Sequence, residues 1–233
     1  MPNWCGNLLT VWGRSYLVKQ FGEDAAHEDY VFLIEQFLPV PPPLRERYPD
    51  VYQEGYDLFF RYGDSPARRE FFTQDLQLTR TRRMLSAAMK ISKEELPDDL
   101  DKLQELVKEY QPEIYEGALK CKQLREKYGA SGWYEWCINN WGTKWDVNGT
   151  AVYTNERYPA PQYLQLAFEF ESAWGPPLAA IETISGKYPT LDFRIEYAES
   201  GTGFEGSAHY KNGDTIDIHH GDYTGGILIR DSF

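Results

Sequence analysis

Tyr163-Leu-Gln-Leu-Ala-Phe-Glu-Phe-Glu171 decides the fold. Leu164, Leu166, Phe168 and Phe170 fall on one side of an extended chain, and Gln165, Ala167, Glu169 and Glu171 on the other. That period of two specifies a half-buried strand and its register, since a slip of one residue would exchange the core and solvent faces. Pro177 to Tyr188 changes period, with Leu178, Ile181, Ile184 and Tyr188 at helical spacing between Pro176-Pro177 and Pro189. Leu191 to Glu199 alternates again, turning Leu191, Phe193, Ile195 and Tyr197 inward, and Gly203 to Lys211 repeats this with Phe204, Gly206, Ala208 and Tyr210. Residues 163–198 thus read as strand, helix, strand.

Working outward, Asn7 to Gly13 alternates as a first strand, with Leu9 and Val11 on one face and Leu8, Thr10 and Trp12 on the other. A helical stripe of Tyr30, Val31, Leu33, Ile34, Phe37 and Leu38 follows over about 28–38, ended by Pro39 and Pro41-Pro42-Pro43. With a strand around Val147 to Thr154, the order becomes βαββαβ: an α+β fold with an antiparallel sheet, two helices on one face, the other face open and further strands at the C-terminal end. Residues 41–129 read as a helical insertion, so the main domain is discontinuous, 1–40 with 130–233. Within the insertion Ser65-Pro66 opens a basic helical stretch from Arg68 to Lys90. Asp98 to Tyr128 carries Leu100, Leu103, Val107, Ile114, Ala118 and Cys121 at helical spacing, with a break at Pro112 and a C-terminal cap at Gly129.

The chain has 233 residues, 42% of them hydrophobic and 15% aromatic, which describes a folded protein with a sizeable core. Its net charge of −12 opposes duplex nucleic acid over most of the surface. The charge is uneven, however. Arg61 to Lys93 holds eight basic residues against three acidic, so a local anion site survives the global repulsion. There is no leader pattern and no apolar run of the roughly 20 residues that span a bilayer, so a cytoplasmic protein without membrane contact is expected. Three cysteines at 5, 121 and 137 have neither the number nor the spacing of a disulfide framework.

Met1 to Asn7 and Trp133-Tyr-Glu-Trp-Cys-Ile-Asn-Asn-Trp-Gly-Thr-Lys-Trp-Asp146 hold five of the seven tryptophans and two of the three cysteines. If Trp133 to Asn140 is helical, Trp133, Trp136, Cys137 and Asn140 share one face, and Gly142 ends the helix. Two readings stand together: an aromatic core sealing helix to sheet, with Trp4, Cys5, Trp136 and Cys137 buried, or a cleft wall. In the second, Tyr134, Trp141 and Trp145 stack a flat ligand, Asn140 reads its edge and Lys144 pairs its phosphate. Arg80, Arg82 and Arg83, with Arg61, Arg68, Arg69 and Lys90, are a solvated helix face or an arginine cluster for phosphate that reaches the same groove.

Other chemistry is sparse. Cys5 and Cys137 with His209 or His219 lack zinc-ligand spacing. Asp217-Ile-His-His-Gly-Asp222 could hold a divalent ion, yet strand geometry would turn His220 away from Asp217 and His219. No nucleophile elbow, Walker-type loop or dinucleotide fingerprint occurs. No cofactor and no catalytic residue are therefore assigned.

Four separated motifs carry a family resemblance: Met1-Pro-Asn-Trp-Cys-Gly-Asn7, the 133–146 block, Phe170-Glu-Ser-Ala-Trp-Gly-Pro-Pro177, and Ile195-Glu-Tyr-Ala-Glu-Ser-Gly-Thr-Gly-Phe-Glu-Gly206. Together they resemble the YubB-like family of phage and plasmid proteins over about 1–14 and 130–211. The resemblance implies a ferredoxin-like βαββαβ domain, without an iron–sulfur cluster, and a mobile-element origin. It supplies no catalytic residue. The leading functional expectation is a non-enzymatic accessory protein that binds a host protein, counter-defence being one such role. The alternatives are a protein that sequesters a nucleotide-like anion and a metal-dependent phosphoesterase centred on Asp217 to Asp222.

Overall fold

A computed structural model describes residues 3–61, 79–155 and 162–225. In chain order the elements are β1 Trp4–Arg14, α1 Ser15–Ala25, α2 Pro42–Arg45, α3 Asp50–Tyr56, α4 Thr79–Met89, α5 Leu100–Tyr110 and α6 Pro112–Tyr128. They continue with α7 Trp133–Trp141, β2 Asn148–Asn155, β3 Tyr163–Ala173, α8 Leu178–Lys187, β4 Asp192–Glu199, β5 Phe204–Lys211 and β6 Asp214–Asp222. The chain divides into two compact units, Met1–Val40 with Tyr134–Phe233, and Pro41–Trp133.

In the first unit one sheet runs in the order β2-β3-β1-β4-β5-β6, and its pairings are antiparallel. The first four strands with α1 and α8 make the expected α+β, βαββαβ arrangement, and β5 and β6 extend it from the β4 edge. The register follows the alternation of the sequence. Leu9 lies opposite Phe168 on one side and Ile195 on the other, and all three are buried.

Above that face α1 contributes Val18, Phe21 and Ala25, and α8 contributes Ala180, Ile181 and Ile184. Phe21 is the hub: its ring lies 5.2 Å from Phe37, 5.3 Å from Phe193, 5.7 Å from Phe168 and 5.2 Å from Tyr188. The Phe37 ring is stacked on it and the other three meet it edge to face, and such aromatic pairs add roughly 0.5–1.5 kcal/mol each beyond area burial.

The first helix is not where the apolar stripe of 28–38 put it. Helix α1 is Ser15–Ala25, and within 28–38 the structure forms only a 3-10 turn, Ile34–Gln36. Glu28 takes φ 52° in a tight turn closed by the His27–Tyr30 bridge, and the Leu33 amide donates to the Ala25 carbonyl at 3.0 Å. Phe32, Ile34 and Phe37 still reach the core. They drape an irregular segment over it, which the same spacing of apolar residues permits.

The second unit has its own core, built from Val51, Leu58, Leu85, Leu96, Leu100, Leu103, Val107 and Ile114. The Asp99 carboxylate caps α5 by accepting the Lys102 amide at 2.9 Å, Pro112 opens α6, and Gly129 closes it at φ 75°. Gly117 is needed where it stands, because a Cβ there would lie 2.2 Å from the Tyr52 ring. Helix α4 is the described part of the basic stretch; Ser65, Pro66, Arg68 and Arg69 lie outside the described residues. Among the described residues no helix is long and apolar enough to cross a membrane.

Candidate binding site at the tryptophan end of the sheet

Two inward positions on apolar strands are polar. Asn7 follows the inward series of Leu9 and Val11, and Ser172 follows that of Phe168 and Phe170; both are fully buried. Buried polar groups must be paired or they cost stability. Asn7 Nδ2 donates to the Cys5 carbonyl at 2.8 Å and to Ser172 Oγ at 2.8 Å, and Ser172 Oγ donates to the Gly175 carbonyl at 2.8 Å. The buried Thr143 hydroxyl donates to the Ala173 carbonyl at 3.0 Å. This network pins the turn that follows β3.

That turn holds Trp174 at φ 73°, a left-handed conformation that costs a non-glycine residue roughly 1–2 kcal/mol. Its amide donates to the Asn3 carbonyl at 2.9 Å. Its indole stands in solvent, 51% exposed. Trp4 at the start of β1 and Trp145 after α7 are also exposed, their rings 6.5 Å apart. Lys144 joins the group, with Nζ 3.7 Å from the Trp145 ring centre and 5.7 Å from that of Trp174. Three indoles and one ammonium thus form a surface cluster, although indoles are usually covered.

The segment carrying Lys144 and Trp145 is tied down at its far end. Gly142 leaves α7 at φ 80°. Asp146 then accepts the amides of Ile34 at 2.8 Å, Glu35 at 2.9 Å and Val147 at 2.8 Å. Burial pushes its carboxyl up to about 6, against the opposite pull of the Ile34 and Val147 amides. On the other flank Glu199 accepts the amides of Gly201 and Thr202 at 2.6 Å each and the Thr202 hydroxyl; Thr202 holds its carboxyl below the usual range. The open sheet face beside the cluster is acidic, with Glu171 opposite Gly6, Glu169 and Glu196 opposite Leu8, and Glu205 opposite Ala198.

The structure sorts the residues expected at a site. Tyr134 and Trp145 are exposed, and Lys144 lies on the Trp145 ring. Trp141 is a correction: it is buried, donates its indole N–H to the Leu38 carbonyl at 3.0 Å and meets Trp136 edge-on at 5.9 Å, so it cannot stack a ligand. Asn140 Nδ2 is turned back onto the Trp136 carbonyl at 2.8 Å. The inward face of α7 is Cys137 with Trp141, one helical turn apart, rather than Trp133 with Asn140.

Trp4 is the second correction, exposed because residue 4 falls on the open side of β1, opposite to buried Cys5. Arg80, Arg82 and Arg83 belong to the second unit. Arg80 pairs with Asp50 at 2.9 Å and Glu54 at 3.3 Å, and Arg82 with Asp98 at 3.1 Å. Arg83 is exposed. Sequence reasoning missed Trp174 as a site residue and the Asn7–Ser172–Thr143 support; the usable signal was a polar residue at an inward position of each strand.

The metal candidates do not assemble. Asp217 pairs across from His209 and His219 from Ser207 on the open face, whereas His220 points to the other face, where its Nδ1 lies 3.2 Å from the Tyr197 hydroxyl. Among the described residues no three His, Cys, Asp or Glu side chains converge as metal ligands. Cys5 is buried, its thiol pushed up to about 12 by burial and by the charge of Glu199.

Fold and site together define an α+β protein with a βαββαβ core and an exposed aromatic end. Residues 140–232 match the family model described as the ferredoxin-like domain in Api92-like protein. The crystal structure of a protein api92 from Yersinia pseudotuberculosis is similar at 15% sequence identity and a TM-score of 0.42, covering 96% of this chain and 98% of that one. No curated protein matches the chain.

Proposed function

We propose that this is a non-enzymatic accessory protein that acts by binding another protein through the Trp4, Trp145 and Trp174 cluster. The observation that carries the reading is Trp174, exposed yet held in a strained conformation by a buried polar network. Strain maintained at an exposed aromatic residue is a cost that packing does not require. Tryptophan is also the residue type most enriched among side chains that dominate protein interfaces. Glu169, Glu171 and Glu205 beside the cluster, and the net charge of −12, favour a partner with a basic surface. The four-motif resemblance to YubB-like proteins supports a phage or plasmid origin, a cytoplasmic host protein as the partner, and counter-defence as the setting.

The test compares wild-type protein with W145A and W174A as baits in host extract, followed by titration of each identified partner. Binding that weakens at least tenfold in either variant and falls between 50 and 500 mM salt supports the proposal. Partners captured equally by all three baits would overturn it. A nucleotide-like anion is the second reading, favoured by the stacking surface around Lys144, and a nucleotide that co-purifies with the wild-type protein but not with W145A in native mass spectrometry would move the assignment there. Against it, Arg80 and Arg82 already hold carboxylates. The phosphoesterase reading is weakest, because His220 and the Asp217–His219 pair occupy opposite faces.

A further inference from the structure

At the other end of β1 a groove of about 600 Å³ is lined by Trp12, Arg14, Tyr16, Tyr163, Asp192 and Lys211 among others. Trp4 and Arg14 lie ten steps apart along the strand, roughly 33 Å at full extension, so this groove is distinct from the tryptophan cluster. Its volume falls within the range of small-ligand sites. Three aromatic rings and two cations converge in a chain that is otherwise acidic.

The side chains are unequally committed. Asp192 holds His209 Nε2 at 3.0 Å and Lys211 Nζ at 2.8 Å, and the Trp12 ring packs on the His209 ring at 5.3 Å. Trp12, His209, Asp192 and Lys211 therefore form one braced wall. Each Asp192 oxygen faces one side-chain nitrogen, His209 Nε2 or Lys211 Nζ, which leaves lone pairs for a hydroxyl. Arg14 forms no ion pair among the described residues and is exposed. Tyr16 is 65% exposed, a free ring at the mouth.

We infer that this groove binds a nucleoside monophosphate. Arg14 supplies the two-pronged donor a phosphate takes, the Tyr16 and Trp12 rings supply surfaces for a base, and Asp192 accepts from ribose hydroxyls. The site is local: Arg14 acts at a few ångströms, inside a screening length of roughly 8 Å, so the net charge does not forbid it.

The experiment is calorimetric titration of the full chain with AMP, GMP, CMP, UMP, adenosine and inorganic phosphate, with amide and indole NMR shifts as a second readout. At least one monophosphate should bind below millimolar Kd and shift the Trp12 indole and Arg14 and Tyr16 amide signals. Adenosine and phosphate should each bind at least tenfold more weakly. R14A and Y16A, both changes at exposed side chains, should each raise Kd at least fivefold with an unchanged melting temperature. The inference is overturned if no monophosphate binds, if inorganic phosphate binds as well as the tightest monophosphate, or if the shifts lie elsewhere. Loss of partner binding in W174A with retained AMP binding would separate this inference from the proposal above.

Discussion

Replacing Asp146 by alanine removes the acceptor that three backbone amides share, and with it the tether that holds Lys144 and Trp145 in place. Each amide loses about 1 kcal/mol of net hydrogen bonding, and water entering at this partly exposed position restores some of it, so the expected destabilisation at pH 7.5 is about 2 kcal/mol. A pH term sits on top of this. The folded carboxyl titrates at about 6 and the unfolded one near 3.9, because burial disfavours the charged form. The folded state therefore holds the proton more tightly, and its contribution is complete below about pH 3.9 and lost as pH rises through about 6.

Between pH 7.5 and 5.0 the linkage amounts to about 1.4 kcal/mol at most, and to about 1 kcal/mol once partial exposure is allowed for. The gap between wild type and D146A should therefore widen from about 2 to about 3 kcal/mol on acidification. Urea unfolding followed by far-ultraviolet circular dichroism at the two pH values measures it directly. A gap that stays constant or narrows toward pH 5.0 would refute the reasoning, since it would mean that the backbone donors outweigh burial and hold the carboxyl low.

Phe168→Ala removes a fully buried ring that contacts Phe21 at 5.7 Å and Phe32 at 5.6 Å, and should cost about 3–5 kcal/mol in thermal or denaturant unfolding. Cys5, buried with its thiol pushed up to about 12, should react with iodoacetamide at pH 8 at least ~100-fold more slowly in native than in urea-unfolded protein, as peptide mapping by mass spectrometry would show. Equal rates would mean that the thiol is reachable and the β1 packing is looser than described.

The alternation of Leu164, Leu166, Phe168 and Phe170 specifies β3 and its register, and the same rule places β1, β4 and β5. Strand periodicity is a local property, since each side chain points opposite to its neighbour whatever the rest of the chain does. Pro112 and Gly129 marked helix ends for equally local reasons: a missing donor and a left-handed backbone. The first helix was misplaced because Tyr30 to Leu38 satisfies helical spacing without being helical. Whether apolar residues reach the core along a helix or along a draped segment depends on what captures the backbone, and the captor here, Asp146, lies 112 residues from Ile34 in sequence.

The candidate site shows the same division. A tryptophan-rich block announced itself by composition, yet sequence could not say which indoles are core and which are surface. Trp141 found a carbonyl partner in Leu38 and went inside. Trp4, one residue from buried Cys5, came out because a strand gives adjacent residues opposite faces. Trp174 became prominent only through contacts that Asn3, Asn7 and Thr143, from other parts of the chain, make with its turn, where Ser172 receives the Asn7 amide. The sequence by itself determined β1 to β5, their faces and the antiparallel α+β class, because those rest on interactions between near neighbours, whereas β6, exposed along its whole length, has no apolar alternation to announce it. Which aromatic groups meet at the surface, and what holds them there, was decided by the tertiary structure alone, because hydrogen bonds across 163 and 165 residues exist only once the sheet has formed.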